Sequence, residues 1–85
     1  MKFYIGTIVP FSGKFVPSNW DVCDGRELSI SQNKGLFAII GNTYGGDGKT
    51  TFALPNLPVV KNANGKRKSR FIYIICTQGI CSTRD

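Results

Sequence analysis

The chain has 85 residues, 11 Lys and Arg against 5 Asp and Glu, a formal net charge of +6, and no histidine. That length makes one domain, residues 1–85, burying only roughly 60–65% of the surface its unfolded form exposes, so its stability is expected to be marginal without reinforcement. Missing histidine removes the most frequent general base and a principal zinc ligand, and no segment approaches the ~20 apolar residues of a membrane span. Leu, Ile, Val and Phe supply 24 residues, with 9 Ile against 4 Leu, which predicts a real core with a β-leaning composition.

Residues 3–11 read as a first strand near a sheet edge, because Pro10 has no N–H to donate to a ladder. The segment lacks a small-residue cleavage site, so it does not read as a signal peptide; work outside a cell would require lysis or a dedicated export machine. Ser12-Gly13 turns the chain, and an extended linker leads to residues 20–28. There Asp24-Gly25 supplies a turn signal between Trp20, Val22 and Leu28, which predicts a tight hairpin. Ser29 followed by Gln32 has capping-box spacing, and Leu36, Phe37 and Ile40 share one face, so a helix is expected over residues 30–40 with Gly41 as its left-handed stop. Residues 43–49 are a glycine-rich loop, residues 50–54 a short strand halted at Pro55, and residues 58–69 a polar connector. Residues 70–76 (RFIYIIC) are apolar on both faces, as a strand central in its sheet would be. Gln78-Gly79 then breaks the run before a short tail.

The run from Gly45 to Thr50 echoes a phosphate-binding loop. That motif needs a strand before it and a helix after it, and here the order is reversed. Asp47 would also repel the anion. The remaining acids form no spacing that suggests general acid–base catalysis. Asp24 and Asp47 sit beside glycines, where an Asp usually bonds its own backbone, so Asp24, Gly25, Gly45, Gly46, Asp47 and Gly48 are expected to be structural turns rather than a calcium site. Trp20, Leu36, Phe37, Ile40, Phe52 and Leu54 are the expected core; Trp20 reads as core before it reads as a sugar-stacking surface. No catalytic residue, metal site or cofactor is expected.

Cys23, Cys76 and Cys81 are an odd set without a Cys-x-x-Cys pair, compatible with one disulfide and a free thiol in an oxidising setting or three buried thiols elsewhere. Cys76 and Cys81 are five apart and flank Gly79, where a turn can bring them within disulfide geometry, inside one chain or between copies. Lys61, Lys66, Arg67, Lys68 and Arg70 place five cations within ten residues. The cluster lacks the aromatics and reading helix expected of a nucleic-acid binder. Its plain role is a solvated loop; its functional alternative is docking on anionic glycan or lipid.

Taken in order, Gly6-Thr7-Ile8, Phe11-Ser12-Gly13, Pro17, Trp20, Cys23-Asp24-Gly25, Leu28 and Ile30-Ser31-Gln32-Asn33 resemble the phage tail-collar domain. Leu36-Phe37, Ile40-Gly41, the run from Thr43 to Gly48, and the run from Thr51 to Leu57 continue the likeness, which is strongest over residues 5–57. The closing strand followed by Gln78-Gly79-Ile80 is similar to the microcystin-dependent proteins of the same family, although Cys76 and Cys81 stand where Ala and an aromatic are expected. The resemblance implies a small α+β fold, one helix packed on short, mostly antiparallel strands. It also implies a non-enzymatic structural role at the base of tail fibres, with trimeric or other homo-oligomeric assembly. On this reading the chain self-associates as a ring or trimer on a tail or injection device, beside other proteins of that device, or as a repeating filament. Only residues 58–69 follow the Leu-Pro-Asn-Leu segment before the closing strand, so a receptor-binding role is not inherited with the likeness; an adhesin-like module using the basic loop is the alternative.

Overall fold

The computed structural model describes residues 2–13, 15–57, 60–61 and 70–82. In chain order its elements are β1 (Lys2–Tyr4), β2 (Ile8–Phe11), β3 (Trp20–Val22), β4 (Glu27–Ser29), α1 (Lys34–Ile40), β5 (Thr51–Ala53), β6 (Val60–Lys61), β7 (Arg70–Cys76) and β8 (Ile80–Ser82). The fold is mixed α+β and dominated by strands, with every described pairing antiparallel.

β7 is the axis. β2 lies along one side (Ile8↔Ile75 to Phe11↔Ile72) and β3 along the other (Trp20↔Cys76 to Val22↔Ile74). β6 pairs with the beginning of β7 through Val60↔Phe71 and Lys61↔Arg70. Pro10 falls in β2, an outer strand of this sheet, where its missing N–H costs the ladder least. Two ribbons flank the sheet: β4 with β5, and β1 with β8.

The alternation along β7 sends its side chains into two separate clusters. Tyr73 and Ile75 join Cys23, Leu36, Phe52 and Leu54 on the side of α1 and β5. Ile72, Ile74 and Cys76 join Trp20 and Cys81 on the other, where Phe3, Val9 and Val22 also pack. Trp20 is buried, its ring edge-on to Phe3 with centroids 5.7 Å apart, and its Nε1–H donates to the Ser82 carbonyl at 2.9 Å. Phe37 and Ile40 are half-buried against the first cluster, Phe37 edge-on to Phe52 at 5.3 Å.

Several local expectations give way to these long-range pairings. The segment 3–11 is two strands, because Gly6 takes φ 91° and turns the chain between β1 and β2. Residues 20–28 do not form a hairpin: Val22 pairs with Ile74, whereas Leu28 pairs with Phe52 in a different sheet. Burying Trp20 and Val22 against the long apolar β7 outweighs the local turn signal. The helix begins at Lys34, not residue 30, since the Ile30 N–H is still held by the Thr50 carbonyl at 3.0 Å and prolongs the β4–β5 ladder. The capping box does not form. Asn33 occupies the N-cap without a side-chain cap bond, its Nδ2 donates back to the Ser29 carbonyl, and the Ser29 hydroxyl meets that of Ser31. Gly41 ends the helix with its N–H on the Phe37 carbonyl and φ 60°, but ψ −155° lies outside the left-handed helical basin. The expected tail after Gly79 is strand β8.

Leu36 is the fully buried residue of α1. Leu36→Ala is expected to cost about 2–5 kcal/mol, a large share of the roughly 5–15 kcal/mol available to a domain. A urea titration should show the midpoint falling sharply at unchanged m-value; an unchanged midpoint would mean that α1 does not anchor the core.

Candidate functional site

The loop that resembles a phosphate cradle is occupied by the protein itself. The backbone N–H groups of Lys49, Thr50 and Thr51 donate to Asp47 Oδ1 at 2.7, 2.7 and 2.9 Å, and the Thr50 hydroxyl donates to Oδ2 at 2.7 Å. A carboxylate thus stands where a phosphate would be held, and these bonds keep it well below the usual carboxylate range. Gly46 makes the loop feasible: with φ 90°, a Cβ there would collide with the Phe52 Cα and the Thr51 carbonyl. Gly45 and Gly48 tie the same loop to β5, through Ala53 N–H to Gly45 O and Gly48 N–H to Thr51 O, each at 2.9 Å.

The second turn, at Asp24 and Gly25, carries the chain from the main sheet to the β4–β5 ribbon. Asp24 pairs with Asn56 in an isolated bridge, and the Gly25 N–H reaches the Pro55 carbonyl at 3.2 Å. Arg26 grips the Asp24 carboxylate through Nε at 3.0 Å and a terminal nitrogen at 2.9 Å, and reaches Asp21 at 3.5 Å. The Arg26 hydrogen bond holds Asp24 below its ordinary pKa, whereas burial pushes Asp21 up against the opposing pull of Arg26. Both carboxylates singled out in the sequence are therefore committed to local backbone and Arg26. Among the described residues, no cluster of three or more Cys, Asp or Glu is placed to hold a metal ion.

Sequence reasoning passed over an apolar outer face. Tyr4 and Ile80 are cross-strand partners in the β1–β8 ribbon and are 75% and 58% exposed. Ile39 of α1, 56% exposed, packs against Gly6 at the turn that ends β1. Tyr4 and Ile80 thus form an exposed apolar pair on the outward face of the ribbon, where alternation also places Lys2 and Ser82, and Ile39 adds an exposed apolar side chain beside the turn that follows. The signal was present in the helix, where Ile39 falls off the face shared by Leu36, Phe37 and Ile40. For Tyr4 and Ile80 no local pattern shows which side of a three-residue strand faces out.

At the same corner, Cys76 and Cys81 are joined in a disulfide with Cα atoms 5.9 Å apart, both buried beside Trp20. Cys23 is a free thiol buried in the other cluster; burial, then the negative charges of Asp24 and Asp21, push its pKa up to about 11. Of the basic loop, Lys61 and Arg70 occupy facing register positions at the β6–β7 pairing, while Lys66, Arg67 and Lys68 lie outside the described residues. Among the described residues, no helix is long and apolar enough to cross a membrane.

The glycine turns, the Asp24 bridge to the Leu-Pro-Asn-Leu segment and the strands they join lie within the reach of one family: the phage tail collar domain matches residues 6–59. The chain belongs to this family, whose members are structural tail modules. No curated protein and no solved structure matches the chain.

The Asp47 clamp carries a pH signature. Its folded pKa lies below the unfolded value of roughly 4, so its stabilisation is complete above that value and is lost as pH falls below it. Asp47→Asn is expected to lower the melting temperature at pH 7, with the gap from wild type narrowing steadily below about pH 4. A gap that stays constant from pH 7 to pH 2 would remove the charged clamp from the account.

Proposed function

We propose that the chain is a non-enzymatic structural module of a phage tail or phage-derived injection device, and that it self-associates through the face formed by Tyr4, Ile39 and Ile80. The observation that carries this reading is the exposure of the cross-strand pair Tyr4 and Ile80, with exposed Ile39 beside the Gly6 turn that follows β1. A second copy of the chain is the occupant that fits. The β1–β8 ribbon has no third strand among the described residues, and an open strand edge beside an apolar surface is a template for pairing with another chain. A domain this small also gains from association what its own core lacks. Family membership supplies the setting, a phage tail.

The double variant Tyr4→Ser with Ile80→Asn is expected to shift the protein from a homo-oligomer or filament to a monomer in light scattering and negative-stain images. Exposed positions of this kind normally change the stability of the folded chain itself by no more than about 0.5 kcal/mol, so a monomer that still melts cooperatively, at a temperature independent of protein concentration, would separate lost association from lost folding. Wild-type protein that stays monomeric at high concentration would overturn the reading.

The register of β6 and β7 favours a second, subordinate role. Lys61 and Arg70 are register partners, so two residues of the basic cluster come from neighbouring strands. An adhesin-like module docking on anionic cell-surface glycan or lipid would use this pair together with Lys66, Arg67 and Lys68. Binding to anionic vesicles or acidic glycan should weaken steeply as salt rises and vanish on replacing Lys66, Arg67 and Lys68 by Ser. Binding that survives the replacement excludes the loop.

A further inference from the structure

We propose that the Cys76–Cys81 disulfide is a redox-controlled latch that holds β8 on β1, so that the Tyr4–Ile80 face is completed only in an oxidising environment; the second part rests on the self-association reading above. The bond joins the last residue of β7 to the middle of β8, across a sequence separation of 5. Ile80 lies inside that ring, one residue before Cys81, and is held opposite Tyr4 by it. Without the bond, β8 is a three-residue strand on a three-residue partner, which is marginal in water. Other ties reach it and the turn before it. The Trp20 Nε1–H bonds the Ser82 carbonyl at 2.9 Å, and at the turn the Thr77 N–H and hydroxyl both donate to the Asn19 carbonyl, at 2.8 and 3.0 Å.

The pairing is unambiguous because the third cysteine is segregated. Cys23 packs on the opposite face of β7 from the disulfide, in the cluster of Leu36 and Phe52. Its buried thiol stays protonated and slow to attack. Closure proceeds by exchange with a small-molecule disulfide such as oxidised glutathione. The thiolate of one cysteine attacks that disulfide and expels a first thiolate. The thiolate of the other then attacks the mixed disulfide and expels a second. Two protons leave the cysteines, and the two electrons lost by the protein reduce the small disulfide to two thiols. A dithiol such as dithiothreitol reverses the process. In the reducing cytosol of a producing cell, β8 is released; after exit it locks.

The test compares purified full-length protein in glutathione disulfide and in dithiothreitol, by amide exchange, emission of the single tryptophan and light scattering. Ring closure at this separation favours the docked strand roughly thirtyfold, so reduction is expected to accelerate exchange of residues 80–82 by roughly that factor. Residues 2–4 should follow, Trp20 emission should move to longer wavelength, and the oligomer should dissociate, while residues 51–54 stay protected. The variant Cys76→Ala with Cys81→Ala should behave like reduced wild type in either buffer. Unchanged exchange in residues 80–82 on reduction overturns the latch, as does loss of protection throughout the chain, which would make the bond a support for the whole fold. Release of β8 without dissociation overturns the link to the face. If β8 opens on reduction but the oxidised protein is already monomeric, the latch stands and the self-association reading falls.

Discussion

β7 is apolar on both of its faces, and the rest of the chain is arranged to satisfy that condition. Seven consecutive residues, Arg70–Cys76, form its extended run, and alternate side chains enter opposite clusters. Ile74 and Ile75 are both fully buried although they point in opposite directions; each contributes about 1.5–3 kcal/mol only while its own side is covered. A domain of this size cannot cover both sides with long elements. It uses α1 with the β4–β5 ribbon on one side and the β1–β8 ribbon with Trp20 on the other, each strand of those ribbons three residues long.

Short covers depend on accurate delivery, and that explains the placement of the glycine and aspartate residues. Asp24 and Gly25 turn the chain out of the main sheet after Val22 and bring it back beside Asn56. Asp47 gathers three backbone N–H groups so that β5 starts in register with β4. The likeness of this loop to a phosphate cradle has a physical origin: converging N–H groups favour any anion, and here the anion is a side chain within the loop. What distinguishes a nucleotide site from a structural turn is whether those donors remain available, and in this loop Asp47 has taken them.

The features legible in the sequence were those set by local chemistry or by the strongest apolar run. RFIYIIC announces a central strand whatever surrounds it, and the turns at Asp24-Gly25 and residues 43–49 follow from residues with a strong backbone preference. The errors came where a local signal competed with a distant partner. Ser29 and Gln32 have capping spacing, but the Thr50 carbonyl holds Ile30 in the ladder, and the helix starts a turn later. Asp24-Gly25 turns the chain as expected, yet its arms pair with Ile74 and Phe52 instead of each other. The exposed Tyr4–Ile80 pair was invisible for a different reason. Whether Tyr4 or Phe3 faces inward depends on register with β8, and that register is decided by Trp20 and Cys81 far along the chain.

The β1–β8 ribbon concentrates this dependence. Phe3 and Cys81 point inward to Trp20, which by alternation leaves Tyr4 and Ile80 outward. A two-stranded ribbon with one face on the core and an exposed Tyr4–Ile80 pair towards water is under-stabilised, and that pair is open to a partner. A covalent bond at Cys81 addresses the first weakness, since it limits the excursions of β8 without enlarging the core. In the proposed assembly, a second chain covering the outer face addresses the second. The two remedies meet at neighbouring residues, Ile80 and Cys81, so any change that loosens one is transmitted directly to the other. For a module of the tail-collar family, that coupling ties completion of the surface to closure of the strand that carries it.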